Sequence, residues 1–389
     1  MKIHTVREGE SLSDIAKEYG IDEDILRINN EIPEGECATG EELLILTPTR
    51  TYTIKRGDST ERLSLRFGVR RRDLLAMNPW ICTEGLVPSR RVALSYGEPK
   101  LGMAAAHGFL YNGYTPDGLA RRLPYLTYVS VGCAVSNGRE LRKLFDPRDA
   151  VGLVRSADKI PLLRIFDKDA VHRSAEDGKK FSESIINAAI SGGYKGITLS
   201  GELSEEYLVD LRGKMIGCDL ILFTELDTYA PSYFNEYADG SVLSYTEGAG
   251  SSETNFYKEF ATDAESSKSF IELPSFASFD GGFMKRGDAV CMARRSGANM
   301  VPNEDGTNLS FKHKKCGTVS LPSLSSVKAI LDIIHEYGYM GVSFDIMRTP
   351  LPYLMMYNAS FGTSTFTSVR SAEGCSRERT DNTALTESG

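Results

Sequence analysis

Tryptophan is almost missing from this chain of 389 residues, Trp80 being the only one. Cysteine is present without a pattern: seven lie scattered at 37, 82, 133, 218, 291, 316 and 375. That odd number, with no C-x-x-C pair, excludes a disulfide framework and suits synthesis in a reducing compartment. No stretch approaches the roughly 18 apolar residues needed to cross a bilayer, so no membrane partner is expected. Met1 is not followed by a basic head and an apolar run, so no signal peptide is expected either. A glycine-rich nucleotide loop is lacking too. With a net charge of −8 and a pI of about 5.4, nucleic acid is excluded as the main partner.

What is there, before residue 100, is one passage written twice. His4-Thr-Val-Arg-Glu-Gly-Glu-Ser11 returns as Tyr52-Thr-Ile-Lys-Arg-Gly-Asp-Ser59, an offset of 48 that persists through Ile15/Leu63, Tyr19/Phe67 and Gly20/Gly68. One extra residue then enters, so that Asp24–Asn29 answers Asp73–Asn78, and the offset returns to 48 at Leu43–Leu46 and Arg91–Leu94. Each copy reads as a short alternating strand, a Gly-Glu-Ser or Gly-Asp-Ser turn into a capped helix, a second short helix and a closing apolar strand. The apolar pairs at i, i+4 mark one helix face, and Gly20 and Gly68 stand where those helices should end.

This wording resembles the LysM module, which binds polymers containing N-acetylglucosamine. The resemblance implies a groove between the loop after the first strand and the loop before the last. In the first copy it would use Gly9, Glu10, Ser11, Leu12, Asn29, Asn30 and Ile32. In the second it would use Gly57, Asp58, Ser59, Thr60, Asn78, Pro79 and Trp80, Thr60 standing where leucine is usual. The bland alternative is that the Gly, Ser and Asn among them are turn and cap residues only.

The two copies carry opposite charge. Residues 1–49 hold four Lys/Arg against twelve Asp/Glu, whereas 50–98 hold ten against five. Arg66, Arg70, Arg71, Arg72, Arg90 and Arg91 could grip an anionic wall polymer, dock one module on the other, or form a solvated basic face, the last being the favoured reading.

From Leu101 the pattern changes to short apolar segments separated by longer, often helical stretches. Eight are expected as strands, at 107–112, 126–131, 160–166, 196–202, 219–225, 241–245, 269–274 and 340–346, with helices such as 182–190 and 323–337 between them. Eight alternating units over this length predict a (β/α)8 barrel, an open α/β sheet being the alternative. The organisation is therefore α/β, with modules at 1–48 and 49–98, a barrel at 101–369 and a tail at 370–389 expected to be disordered.

Gly108-Phe-Leu-Tyr-Asn-Gly113, Leu123-Pro-Tyr-Leu-Thr-Tyr128, Gly341-Val-Ser-Phe344 and Thr349-Pro-Leu-Pro352 resemble the LysM-bearing branch of glycoside hydrolase family 18, which includes spore cortex-lytic N-acetylglucosaminidases. That family's fourth strand reads D-G-x-D-x-D-x-E, and here Lys195-Gly-Ile-Thr-Leu-Ser-Gly-Glu202 occupies it. Strand alternation sends Thr198, Ser200 and Glu202 inward. The resemblance implies Glu202 as general acid, acting with the substrate's own acetamide. The aspartate that would steady the resulting cation is Ser200, a loss worth about 10²–10³ in rate. Asp345 replaces the family's tryptophan floor, and Tyr245 is kept but followed by Thr246 in place of aspartate. Hydrolysis by that route is expected to be absent or feeble.

Glu202, Glu225, Asp227, Glu247, Glu272 and Asp345 fall at strand ends, so several carboxylates could converge, although capping and pairing with arginine are the commoner fates of such residues. His313 and Cys316 have a loose metal spacing with two ligands missing. No metal or cofactor is expected. The leading expectation is a peptidoglycan-binding envelope or spore protein with a degenerate hydrolase-like barrel. An active glucosaminidase using Glu202, with Ser200, Glu225, Tyr245 and Asp345 at the substrate, is the alternative, and a barrel that binds a protein partner is a third. Synthesis in the cytoplasm, or in the mother cell of a sporulating source, would place the product at spore coat, cortex or wall.

Overall fold

The computed structural model describes residues 1–33, 37–97, 99–136, 141–167, 175–201, 203–226, 234–245, 253–263, 266–304 and 306–363. The first copy folds as β1 (Lys2–Thr5), α1 (Leu12–Tyr19), α2 (Glu23–Asn29) and β2 (Glu42–Ile45). The second folds as β3 (Pro48–Thr53), α3 (Thr60–Phe67), α4 (Arg71–Met77), a short α5 (Ile81–Glu84) and β4 (Arg91–Tyr96). In each, the two strands pair antiparallel under the helices. Ser11 and Ser59 cap α1 and α3 through the N–H groups of Asp14 and Arg62. Gly20 and Gly68 end those helices at φ of 65° and 66°, a left-handed conformation that glycine adopts without penalty.

The register between the copies differs from the sequence expectation. Asn30 donates to the Leu26 and Leu44 carbonyls and accepts from the Leu44 N–H. Asn78 does the same with Leu74, Ala93 and the Ala93 N–H. The equivalent of Asn78 is thus Asn30, the offset of 48 holds through the second helix, and the extra residue enters only afterwards, between that asparagine and the last strand. Similar apolar composition on either side of the true match had masked this.

Eight parallel strands then close a barrel: β5 (Gly102–Leu110), β6 (Tyr128–Ser136), β8 (Ile160–Asp167), β9 (Gly196–Ser200), β10 (Ile221–Leu226), β11 (Gly240–Leu243), β12 (Ser269–Glu272) and β18 (Gly341–Asp345). The pairing of β5 with both β18 and β6 completes the circle. All eight expected strands are these. β7 (Leu141–Lys143) is an antiparallel flap on β6, and β19 (Phe361–Thr363) adds to the start of β5. Helices α6 (Pro116–Arg122), α7 (Arg148–Ser156), α8 (Ala175–Ser191), α9 (Glu205–Ile216), α10 (Phe234–Tyr237), α11 (Glu253–Asp263), α13 (Leu324–Glu336) and α14 (Leu351–Ser360) lie between and after the strands.

Between β12 and α13 the chain builds a second, smaller layer that was not anticipated. β13 (Phe276–Phe279), β14 (Gly282–Lys285), β15 (Val301–Pro302), β16 (Asn308–His313) and β17 (Gly317–Pro322) form an antiparallel sheet backed by α12 (Arg286–Ser296). Its own small core includes Ala277, Ala293, Leu309, Phe311, Val319 and Leu321. His313 and Cys316 lie at its β16–β17 turn, where the His313 ring accepts from the Lys315 N–H and Cys316 packs against that core. Among the described residues no helix is long and apolar enough to cross a membrane.

The modules are fixed to the barrel through charge. Glu42 accepts from the Leu324 and Ser325 N–H groups at the start of α13, at 2.6 and 3.2 Å. Glu31 accepts from Leu351 N–H at the start of α14 and from Arg122. Glu41 forms a buried ion pair with Arg294 of the inserted layer. From module 2, Arg72 donates to the Pro124 and Tyr125 carbonyls just past α6. Of the three readings of the arginine cluster, docking applies to Arg72, though on the barrel. Arg70, Arg71 and Arg90 pair with acids of their own module.

Candidate functional site

Inside the barrel, side chains fall in tiers. The lowest is filled by Ala105, Tyr128, Leu162, Ile221, Phe223, Val242 and Phe270, packed with Phe109, so the barrel is a core and not a pore. Above it His107 spans from Ser343 Oγ at 2.8 Å to Ser130 Oγ at 2.6 Å, and Ser130 contacts Thr198 Oγ1 at 2.6 Å. Burial, with Arg164 nearby, pushes the His107 pKa down to about 3, so its ring is neutral, one nitrogen donating and the other accepting. Thr198 points inward as the alternation required, and it is consumed by this network.

The mouth lies one tier higher. Arg164, midway along β8 and paired in register with Thr198, donates two bonds to Glu225, at 2.5 and 2.7 Å, and lies over the Phe109 and Tyr111 rings. Burial opposes the charge of Arg164, but Glu225 keeps it above its ordinary value. Glu272, at the end of β12, accepts from Ser244. Desolvation, with Glu225 and Asp345 nearby, raises its pKa against the pull of Ser244 and Arg164. Asp345 is buried and accepts from the Met347 and Arg348 N–H groups. Burial raises its pKa in spite of those donors. Tyr111, coupled to all three acids, is pushed up to about 12, chiefly by burial.

The structure therefore brings together Glu225, Glu272, Asp345 and Arg164, and Arg164 was not foreseen. Only its position opposite Thr198 in β8 could have signalled it. Ser200 is buried at the end of β9. Tyr245 packs on Phe256 and, with Glu272, lines a cleft of about 640 Å³ between the mouth, α11 and the inserted sheet, whose Phe276, Phe283, Asn303 and Asn308 form the far wall. Glu202, Asp227, Thr246 and Glu247 lie outside the described residues. No cluster at the mouth has the grouping of a metal site among the described residues; the one such group is His4, Glu10 and Glu18 in module 1, where His4 and Arg7 already hold Glu10.

In the modules, Leu12 and Ile32 are buried in one core and Trp80 in the other, Trp80 lying under Arg90 at 4.1 Å, and Pro79 beside it is buried too. These four, with Asn30 and Asn78, support the loops from within and do not offer side chains to solvent. Asn29 is buried as well, its Oδ1 without a donor among the described residues. Gly9, Ser11 and Gly57 line the loops with Glu10, Asp58, Ser59 and Thr60, all keeping some exposure.

The two N-terminal units are LysM domains, the LysM domain model matching residues 4–35 and 52–89, and they precede a closed (β/α)8 barrel. The whole arrangement is similar to the spore cortex-lytic enzyme SleL of Bacillus megaterium QM B1551, at a TM-score of 0.70 and 17% identity over 93% of this chain and 98% of that one. It is equally similar to SleL of Bacillus cereus, at a TM-score of 0.70 and 18% identity over 94% and 98%. A chitinase from Chromobacterium violaceum ATCC 12472 shares the barrel, at 0.55 and 15% over 66% and 98%. At these identities the likeness is one of fold. No curated protein sequence matches the chain significantly.

Proposed function

We propose that this chain is a binding protein of the spore or cell envelope, whose LysM domains hold peptidoglycan or another N-acetylglucosamine polymer and whose barrel keeps a hydrolase shape without acetamide-assisted chemistry. The observation that carries the second half is Arg164. The family's route develops positive charge at the reacting sugar, whereas Thr198 and Ser200 carry no charge and Glu225 beside them is spent on the Arg164 guanidinium, so that pair supplies no net negative charge there. Two weak grooves on one chain gain by effective concentration on a repetitive polymer. The exposed loop residues Gly9, Glu10, Ser11, Gly57, Asp58, Ser59 and Thr60 are the ones a glycan would meet, with the buried asparagines holding their frame. Spore coat, cortex or wall is the location this reading implies, reached by synthesis in the cytoplasm or mother cell.

The test has two arms. Reducing ends are counted after incubation with chitin oligomers and with cortex fragments, for wild type and Glu202→Gln. Release by wild type that vanishes in the variant would overturn the inactive barrel. Retention of the full chain on insoluble peptidoglycan tests the grip, and passage straight through removes it. A second reading, an active glucosaminidase with Glu202 as acid, draws support from Glu272, whose carboxyl burial pushes toward the neutral form, beside Glu225, which is ion-paired with Arg164. The same assay decides between them.

A further inference from the structure

The β13–β14 hairpin pairs Phe276 with Lys285 and Ser278 with Phe283. Alternation places these four on one face, while Ala277, Phe279 and Met284 face the small core behind. The outward face is unusually bare: Phe276 is 43% and Phe283 69% exposed, and Lys285 is exposed. Arg348, from the turn after β18, lays its guanidinium 5.1 Å from the Phe276 ring centre and 5.8 Å from that of Tyr111. It pairs with Asp345 at 3.4 Å, and its own side chain stays 41% exposed.

Two cations and two phenyl rings thus share one patch at the rim of the cleft. Asp345 offsets one positive charge and is turned inward, spending an oxygen on two backbone N–H groups. Lys285 makes no ion pair among the described residues but acts on Asp345 from a distance, so among those residues two cations face one carboxylate beside the rings. A neutral sugar polymer would use the rings and leave that charge idle. A pyranose bearing a carboxylate uses both, the ring stacking on phenyl and the carboxylate meeting guanidinium and ammonium.

From this juxtaposition we infer that the hairpin, with Arg348, is a subsite for the carboxylate-bearing sugar of a wall glycan, selecting that polymer over uncharged chitin. The inference rests on the glycan-binding reading above and adds to it the charge of the sugar.

Calorimetric titration of the full chain with three tetrasaccharides tests it: an N-acetylglucosamine tetramer, an alternating tetramer in which every second sugar carries a lactyl carboxylate, and that second tetramer with its carboxylates converted to amides. The acid form should bind roughly tenfold tighter than its amide at low salt, with the gap narrowing as salt is raised. In Arg348→Gln/Lys285→Gln the gap should close while affinity for the amide and for the neutral tetramer is kept. Both side chains are on the surface, and the single variant Lys285→Gln, which leaves Asp345 paired, should close part of the gap. Phe276→Ala/Phe283→Ala should weaken the acid and amide forms alike. Equal wild-type affinity for acid and amide, or a preference that survives the double charge variant, overturns this inference and leaves the glycan-binding reading standing. Failure of all three sugars to bind overturns both.

Discussion

The two LysM domains share a fold, a capping pattern and a buried asparagine, yet one is strongly acidic and the other basic. Part of the difference follows from what each is docked against. Module 1 meets the starts of α13 and α14, where unpaired N–H groups and the positive end of the helix dipole favour carboxylates, and it supplies Glu42 and Glu31. Module 2 meets the far end of α6 and the turn after it, where carbonyls are unpaired, and it supplies Arg72. At Glu31, Glu41, Glu42 and Arg72 charge is a record of attachment. Even the matching trios differ in this way, His4, Glu10 and Glu18 in one answering Tyr52, Asp58 and Arg66 in the other.

The sharpest way to break the comparison is at the buried pair of Glu41 and Arg294, which has no counterpart in module 2 among the described residues. Arg294→Ala should cost about 3–5 kcal/mol in chemical denaturation because it strands Glu41 in the interior, whereas an apolar replacement of both partners should recover most of it. Where the modules are alike, the cost should be alike: Asn30→Ala and Asn78→Ala should each lose about 2–3 kcal/mol, since each leaves a buried N–H and carbonyls unpaired. A large difference between the two would show that the modules are not equivalent frames. Glu42→Ala should cost about 1 kcal/mol, the usual worth of a helix cap, with faster amide exchange confined to the first turn of α13.

Acid should test the loops. Burial works to raise the Glu10 pKa, but the Arg7 N–H and His4 outweigh it and hold the carboxyl below its ordinary value of 4.5. A depressed carboxylate stabilises the fold above that value and ceases to do so as pH falls through the depressed one. The Arg7 amide, followed by NMR from neutral pH downward, should therefore lose protection in acid, and Glu10→Gln should remove that dependence. The smallest effect is expected at the exposed pair of Arg71 and Glu61, where Arg71→Ala should change stability by no more than about 0.5 kcal/mol.

Much of the architecture was legible because it is local. The repeated Ser and Gly caps announce the helices of the modules, and each barrel strand is a short apolar run that needs no partner to be recognised. The inserted sheet escaped notice because β15 has only two residues and β13 and β14 only four, too short for alternation to stand out between helices. At the mouth, Glu225, Glu272 and Asp345 were visible as acids at strand ends. What each does depends on a neighbour from a distant part of the chain: Arg164 is 61 residues from Glu225, and Ser244 is 28 from Glu272. Docking was illegible for the same reason. Glu31, Glu41 and Glu42 meet partners that lie 253 to 320 residues further along the chain, a separation at which no local pattern links them.

Gly40 marks how tightly that attachment is drawn. Its φ of 78° and its place against the Met300 carbonyl leave no room for a side chain, since a Cβ there would stand 1.8 Å from that oxygen. Beside it the Met300 N–H donates to Thr39, so the domain and the inserted layer touch backbone to backbone. A grip mounted this way works as a caliper and not as a tether: whatever polymer the domains take hold of would be offered to the barrel at one set spacing, fixed by the fold and not by the wandering of a linker.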